Sequence, residues 1–207
     1  YLSESLRVNS TVTRINFSSS FVRQLNNNIG AEGCKYLSEL LRVNSTITSI
    51  DLRNNSNIGA EGCKYLNESL RVNSTITNVD LRNNNIGAEG CKYLSESLRV
   101  NSTITNVDLS YNRIGAEGCN QIAQAAKQRP VNLNTNLLFC DILISILRND
   151  STITSVNLSN NNIGDEGCKY LSEALRINST ITNVDLRENN IGDEGCKYLS
   201  AALRVNS

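Results

Sequence analysis

Residues 76–101 read ITNVDLRNNNIGAEGCKYLSESLRVN, and the chain repeats this stretch with small changes. The segment IGAEGC occurs four times, beginning at Ile29, Ile58, Ile86 and Ile114, and IGDEGC follows twice, beginning at Ile163 and Ile191. Successive cysteines are 29, 28, 28, 21, 28 and 28 residues apart. A period of this length indicates a solenoid, in which each unit stacks on the next and shares its core.

Each unit contains the pattern of one short strand and one helix. Val79 and Leu81 are two residues apart and therefore point to the same side of a strand. Cys91, Leu94 and Leu98 follow at i, i+3 and i+7, the apolar stripe of a helix that runs to about residue 100. Since packed helices lie about twice as far apart as paired strands, the stack must curve. The sequence predicts an α/β horseshoe with a parallel sheet on the concave face and helices on the convex face.

One asparagine recurs between the strand and the helix of each unit. It stands at Asn55, Asn84, Asn112, Asn136, Asn161 and Asn189. A buried amide side chain both donates and accepts hydrogen bonds, so it can satisfy backbone groups of the neighbouring turns. We therefore predict a continuous asparagine ladder through the stack.

The balance of charge argues against several classes of partner. Twenty lysines and arginines match twenty aspartates and glutamates, which leaves no basic footprint for nucleic acid or for an anionic membrane surface. No apolar run approaches the roughly 18 residues that span a bilayer. The chain has no histidine, the commonest general base. We expect no enzymatic activity, no cofactor, and neither nucleic acid nor membrane as a partner.

The seven cysteines are interpreted as buried structural thiols. Their 28-residue spacing places equivalent residues on adjacent helices, roughly 8–10 Å apart, beyond the usual reach of a disulfide. With no C-x-x-C pair and no histidine, no metal site is predicted. Because an odd number of free thiols favours a reducing compartment, a cytoplasmic location is expected.

The pattern breaks in two places within a single domain of about seven repeats over residues 1–207. Residues 15–34 include seven additional residues, 18–24, which predict a loop on the rim. Residues 119–150 lack the IGAEG turn, and Pro130 ends the preceding helix, so curvature should change there. The apolar helix at residues 137–147 is expected to fill the gap, with an exposed adhesive patch as the alternative. Both ends stop within the pattern, which predicts a fragment of a longer chain or self-association through uncapped ends.

The pattern also carries a family resemblance. Ile76, Val79, Leu81, Asn84 and Ile86 fit L-x-x-L-x-L-x-x-N-x-L, the signature of leucine-rich repeats. The 28-residue form resembles the ribonuclease-inhibitor-like subfamily, and it is similar to the repeats of NOD-like receptors and of some bacterial effectors. This resemblance implies a non-catalytic scaffold that binds a protein partner through its concave face and rims.

The resemblance leaves other functions open. A GTPase-activating regulator of the Ran type has the same repeats, but it also has an acidic tail that this sequence lacks. The sensor region of a NOD-like receptor or part of a bacterial effector would also fit. No phosphate-binding G-x-x-x-x-G-K-[ST] segment is present, so a receptor could be represented only by its sensor.

Candidate partner-binding residues lie where side chains should point to the concave face or the rim. They are Asp51, Arg53, Asn78, Asp80, Arg82, Asn106, Asp108, Tyr111, Arg113, Asp185, Arg187 and Glu188. Three of these, Tyr111, Arg113 and Glu188, depart from the repeated sequence and are the predicted anchors. The alternative for the Asp and Arg columns is a lattice of ion pairs that neutralises itself.

Overall fold

The computed structural model describes residues 9–18, 27–55 and 57–204. Within these ranges, seven three-residue strands alternate with seven helices. The strands are β1 Arg14–Asn16, β2 Ser49–Asp51, β3 Asn78–Asp80, β4 Asn106–Asp108, β5 Asn132–Asn134, β6 Ser155–Asn157 and β7 Asn183–Asp185. The helices are α1 Ala31–Leu41, α2 Gly59–Leu70, α3 Gly87–Val100, α4 Gly115–Ala126, α5 Leu138–Leu147, α6 Gly164–Leu175 and α7 Asp193–Leu203.

The strands pair in parallel with the register that the repeats predict. Val79 lies opposite Ile50 on one side and Val107 on the other. Strands β1 to β5 form one sheet, and β6 and β7 form a second. The predicted α/β solenoid is confirmed, but its sheet is interrupted between β5 and β6 within the described residues.

The core fills the space between strands and helices. Val79, Leu81 and Cys91 are buried in the third repeat, as the two periodicities predict, and equivalent residues are buried in its neighbours. Gly118 shows why the helices can lie so close, since a Cβ there would lie only 3.3 Å from Ala88 Cα of the preceding helix. Among the described residues, no helix is both long enough and apolar enough to cross a membrane.

The fifth repeat explains the interruption. Helix α4 ends at Ala126, four residues before Pro130. Only residues 135–137 separate β5 from α5, whereas residues 81–86 separate β3 from α3. Helix α4 consequently contacts both α5 and α6. Phe139, Leu143 and Leu147 of α5 are buried, which supports the gap-filling role predicted for this apolar helix.

Two other expectations fall on parts of the chain without a description. Most of the predicted rim loop at residues 18–24 lies outside the described residues, as do residues 1–8 and 205–207 at the two ends. The rim loop therefore stays a prediction.

Candidate functional site

Aspartate and arginine alternate along the concave face and bind each other. The Asp51 carboxylate accepts from Arg53 Nη2 at 2.7 Å, and Arg53 Nε lies 3.4 Å from an oxygen of Asp80 in the next strand. The Asp80–Arg82 pair (2.7 Å) and the contact between Arg82 and Asp108 (3.4 Å) repeat this geometry. The hydrogen bonds that Arg53 donates to Asp51 and that Arg82 donates to Asp80 raise the pKa of these two arginines. The predicted self-neutralising lattice is therefore present in these repeats.

The lattice stops at the fourth repeat and has one isolated member beyond the interruption. Ser110 stands where an arginine would continue the column, and its hydroxyl donates to Asp108 at 2.6 Å. Asp185 and Arg187 pair at 2.6 Å in the seventh repeat, and this bond lowers the pKa of the Asp185 carboxyl. These side chains are too far exposed for the pairing to contribute much stability.

A second concave column consists of amides. Asn106 donates to Asn78 Oδ1 at 2.7 Å, and Asn132 donates to Asn106 Oδ1 at 3.2 Å. The aspartates of the lattice and these asparagines line a shallow groove of about 400 Å³, which Arg14 also lines. Sequence analysis missed Arg14, although its place opposite Ser49 in the strand register could have been read from the repeat.

The buried asparagine ladder is present but discontinuous. The backbone N–H of Asn55 donates to Asn84 Oδ1 at 3.1 Å, and that of Asn84 donates to Asn112 Oδ1 at 2.8 Å. The ladder resumes after the interruption, where the backbone N–H of Asn161 donates to Asn189 Oδ1 at 2.9 Å. The prediction for Asn136 is wrong, because Leu133 pairs with Val107 and Asn136 therefore occupies the slot of Arg82, two residues before the ladder position. Asn136 is exposed, and its own N–H donates to Asn134 Oδ1.

The rim beside the ladder holds residues with positive φ. The equivalent positions before and after the ladder asparagine carry Asn83 and Asn85 in the third repeat and Asn160 and Asn162 in the sixth. The fourth repeat instead has Tyr111 (φ 61°) and Arg113 (φ 53°), and the seventh has Glu188 (φ 55°). Asparagine tolerates the left-handed region far better than tyrosine or arginine does.

Tyr111 and Arg113 lie together on the rim. Tyr111 is 68% exposed, and among the described residues neither side chain has a hydrogen bond or an ion pair. With Asn83 and Asn85 they line a hollow of about 280 Å³. Glu188 is three repeats further along, beyond the interruption of the sheet, and it lines neither this hollow nor the concave groove.

A deeper cleft of about 410 Å³ opens where the fifth turn is missing. Its lining comes from the turns of the fourth and sixth repeats and from the residues that join β5 to α5. They include Tyr111, Arg113, Thr135, Leu137, Phe139 and Asn161. Thr135 is buried in the slot that holds Leu81 in the third repeat. Sequence analysis missed Thr135, although a threonine in a leucine column is visible in the repeat and could have marked the irregular turn.

All seven cysteines are free thiols, and six of them are buried as predicted. The prediction is wrong for Cys196, which is exposed. Burial raises the pKa of Cys34 and of Cys91 to about 12, which keeps both thiols protonated near neutral pH. No group of three or more potential metal ligands occurs among the described residues.

The structure thus divides the predicted residues into three groups. Asp51, Arg53, Asp80, Arg82 and Asp108 form one ion-paired lattice beside the Asn78 and Asn106 column. Tyr111 and Arg113 adjoin this lattice at the rim, where they separate the small hollow from the deeper cleft. Asp185, Arg187 and Glu188 belong to the second sheet and form a separate end of the surface.

Comparison with known proteins gives a family and a set of similar solved structures. The Leucine Rich repeat family model matches residues 43–66, 72–95, 100–123, 149–172 and 178–200, and leaves out the interrupted repeat. No curated protein matches the sequence.

The solved structures that are similar to the chain include the following two. The structure "Leiomodin-1 Actin-Binding Site 2 (ABS2)" has 15% identity and a TM-score of 0.45, with 99% of this chain and 86% of the other covered. The tropomodulin C-terminal domain of Caenorhabditis elegans has 15% identity and a TM-score of 0.44, with 86% and 93% covered. Because the family model covers more than half of its residues in five copies, the chain belongs to the leucine-rich repeat family.

Proposed function

We propose that the chain is a non-catalytic interaction module that binds a protein partner, with Tyr111 and Arg113 as its anchors. The observation that carries this proposal is the residue type at two strained positions. A tyrosine or arginine in the left-handed region costs on the order of 1 kcal/mol. Stability alone would favour asparagine, as in the equivalent turns of the third and sixth repeats. Tyrosine and arginine are, however, the residue types most enriched at binding hot spots.

The electrostatics support the rim as the centre of this surface. The guanidinium groups of Arg53 and Arg82 are held by aspartates, whereas Arg113 has no ion pair in the described part of the chain. A partner carboxylate can therefore bind Arg113 without first breaking a bond. The concave lattice extends the surface with donors and acceptors, and Asp185, Arg187 and Glu188 are its distal end.

The same reasoning gives the lattice arginines no catalytic role. Arg53, Arg82 and Arg187 each occupy the same slot and bind an aspartate of their own repeat, so a regulator of the Ran type is not favoured. We further propose that the repeats are of the ribonuclease-inhibitor-like type, since their period is 28 residues. The free thiols support a reducing, cytoplasmic location.

The test compares two double variants of the same chemical kind. A partner is recovered from cell extract on the immobilised chain, identified, purified and titrated calorimetrically. Tyr111→Ala with Arg113→Ala should weaken binding at least about 30-fold, the effect of losing roughly 2 kcal/mol at a hot spot. Tyr36→Ala with Arg42→Ala removes the same residue types from the exposed convex side and should leave affinity unchanged.

The outcome separates the rim from the concave face. Equal affinity of the two double variants would refute the rim as the anchor. Asp80→Lys adds the concave face to the test, because it places a positive charge between Arg53 and Arg82. A partner that uses this face should bind the Asp80→Lys variant more weakly.

A further inference from the structure

The turns of regular repeats are joined by a fixed set of backbone hydrogen bonds. In the third repeat, the N–H groups of Asn83 and Gly87 donate to the carbonyl oxygens of Ser110 and Asn112 at 3.0 and 2.9 Å. The N–H groups of Asn84 and Ile86 donate to Asn112 Oδ1 at 2.8 and 3.3 Å. The sixth repeat binds the seventh through the equivalent four donors.

The equivalent donors of the fourth repeat have no such acceptors. The fifth repeat lacks its turn, so the N–H groups of Tyr111, Asn112, Ile114 and Gly115 have no hydrogen-bond partner among the described residues. Asn112 and Ile114 are each 2% exposed. Leaving a buried amide unpaired costs about 1–3 kcal/mol, so this wall of the cleft strongly favours an acceptor.

The opposite wall of the cleft, from the sixth repeat, has an acceptor without a donor. Asn84, Asn112 and Asn189 each accept a backbone N–H from the repeat before them. Asn161 Oδ1 would accept from the fifth repeat, and it has no donor in the described part of the chain. Donors therefore face the cleft from the fourth repeat and an acceptor faces it from the sixth.

We infer that this cleft binds a short, aspartate-containing loop of the protein partner, which takes the place of the missing turn. Its volume of about 410 Å³ lies within the range of ligand pockets, ~300–1,000 Å³. The loop's carbonyl oxygens accept from Tyr111 and Gly115, and its aspartate accepts from Asn112 and Ile114 as an asparagine does elsewhere. This inference rests on the proposed function, because it names the part of the partner that reaches the rim.

Charge distinguishes aspartate from asparagine in the loop. Arg113 lines the cleft, and no carboxylate is among the lining residues. A charged acceptor forms stronger hydrogen bonds with amides than a neutral one does. The cleft should therefore bind an aspartate more tightly than an asparagine, although asparagine is the acceptor in the regular contacts between repeats.

A peptide titration tests the inference directly. The capped peptide RNDNIG copies the turn of the third repeat, with aspartate at the ladder position, and is added to the 15N-labelled full chain. Amide signals of Tyr111, Asn112, Ile114 and Gly115 should shift and saturate. The matched amides of Asn83, Asn84, Ile86 and Gly87 should not, because they are already bonded. The control peptide RNANIG should bind at least 10-fold more weakly.

A variant that narrows the cleft provides the second arm. Leu137 is 37% exposed in the cleft wall, so Leu137→Trp should occupy the cleft without entering the core, and should abolish the shifts. Shifts spread evenly over both sets of amides, equal binding of RNANIG, or unchanged binding by the Leu137→Trp variant would each overturn the cleft assignment. The proposed function fails separately, only if the purified partner is indifferent to the Tyr111 and Arg113 double variant.

Discussion

Tyr111 and Arg113 are residues whose type lowers the stability of the fold and, in the proposed function, favours binding. Their backbones have the conformation that the other described turns mostly assign to asparagine. Replacing both in the variant Tyr111→Asn with Arg113→Asn should raise the free energy of unfolding by about 1–2 kcal/mol, because the strain of two left-handed residues is relieved. Urea unfolding at constant m-value measures this gain.

The reciprocal change provides the control for this prediction. Asn160 occupies the position of Tyr111 in the sixth repeat, is exposed, and has φ 59°. Asn160→Tyr should therefore lower the free energy of unfolding by about 1 kcal/mol. If both substitutions shift stability in the same direction, the strain argument does not hold.

Buried thiols make the stability of the protein sensitive to alkali. Burial raises the pKa of Cys34 and Cys91 to about 12, from an ordinary value of 9.0, so the folded chain retains protons that the unfolded chain releases. Their contribution is complete below pH ~9 and is lost as pH rises toward 12, by up to about 1.4 kcal/mol per pH unit for each thiol. The free energy of unfolding, measured between pH 8 and 11, should fall accordingly.

The double variant Cys34→Ala with Cys91→Ala isolates this effect. Lysines and tyrosines titrate in the same range in both proteins, so only the difference between the two pH profiles reports the thiols. The variant should have the shallower decline. Parallel profiles would show that these thiols are not the cause.

At the scale of elements, a second asparagine ladder joins the turns from helix to strand. Asn101 Nδ2 donates to the carbonyl oxygens of Leu70 and Asn73 at 2.7 and 2.8 Å. Its Oδ1 accepts from the backbone N–H groups of Thr103 and Ile104 at 2.8 Å each. Asn44, Asn73 and Asn178 are buried at the same slot.

Removing one member of this ladder should destabilise the fold markedly. Asn101→Ala leaves two carbonyls and two amides without their partner, so we expect a loss of about 3 kcal/mol in the free energy of unfolding. Ser102→Ala changes the exposed neighbour and should cost no more than about 0.5 kcal/mol. Chemical denaturation of the two variants measures the difference, and equal midpoints would mean that the ladder contributes little.

The features that follow from the strand and helix periods could be predicted from the sequence. Val79, Leu81 and Cys91 alternate with the strand and helix periods, so their burial followed from spacing alone. Asn136 was mispredicted because the fifth strand is shifted along the sequence. Leu133, and not Val131, lies opposite Val107, so Asn136 falls in the slot of Arg82 instead of the ladder. The concave ion pairs could be predicted from matching columns, but the cleft beside Thr135 depends on how α5 packs against α4, which no local pattern specifies.

At the scale of the molecule, the described residues form two sheets that are joined through helices. Helix α4 contacts both α5 and α6 across the interruption, while β5 and β6 do not pair. In a solenoid each repeat is stabilised mainly by its neighbours, so a weak junction separates regions that can open independently. Residues 155–204 should therefore exchange backbone amide hydrogens through an opening that leaves β1 to β4 folded.

Two substitutions at the same slot test this junction. Leu81 and Leu158 are both fully buried, and replacing either by alanine should cost about 2–5 kcal/mol locally. Leu158→Ala should lower protection in residues 155–204 while sparing β2 to β4. Leu81→Ala should lower protection in the first sheet. Loss of protection over the entire chain in both variants would instead show one cooperative unit.

The interrupted repeat also gives the surface a segment that differs from the repeated units. A ligand that recognised only the copied columns of Asp, Arg and Asn could shift by one unit and meet almost the same groups again. The fourth-to-sixth segment has no such duplicate among the described residues, since Tyr111, Arg113 and Thr135 each replace the residue found at the matching slots. A protein that binds this segment can therefore bind at a single position along the described repeats. The missing turn of the fifth repeat determines that position.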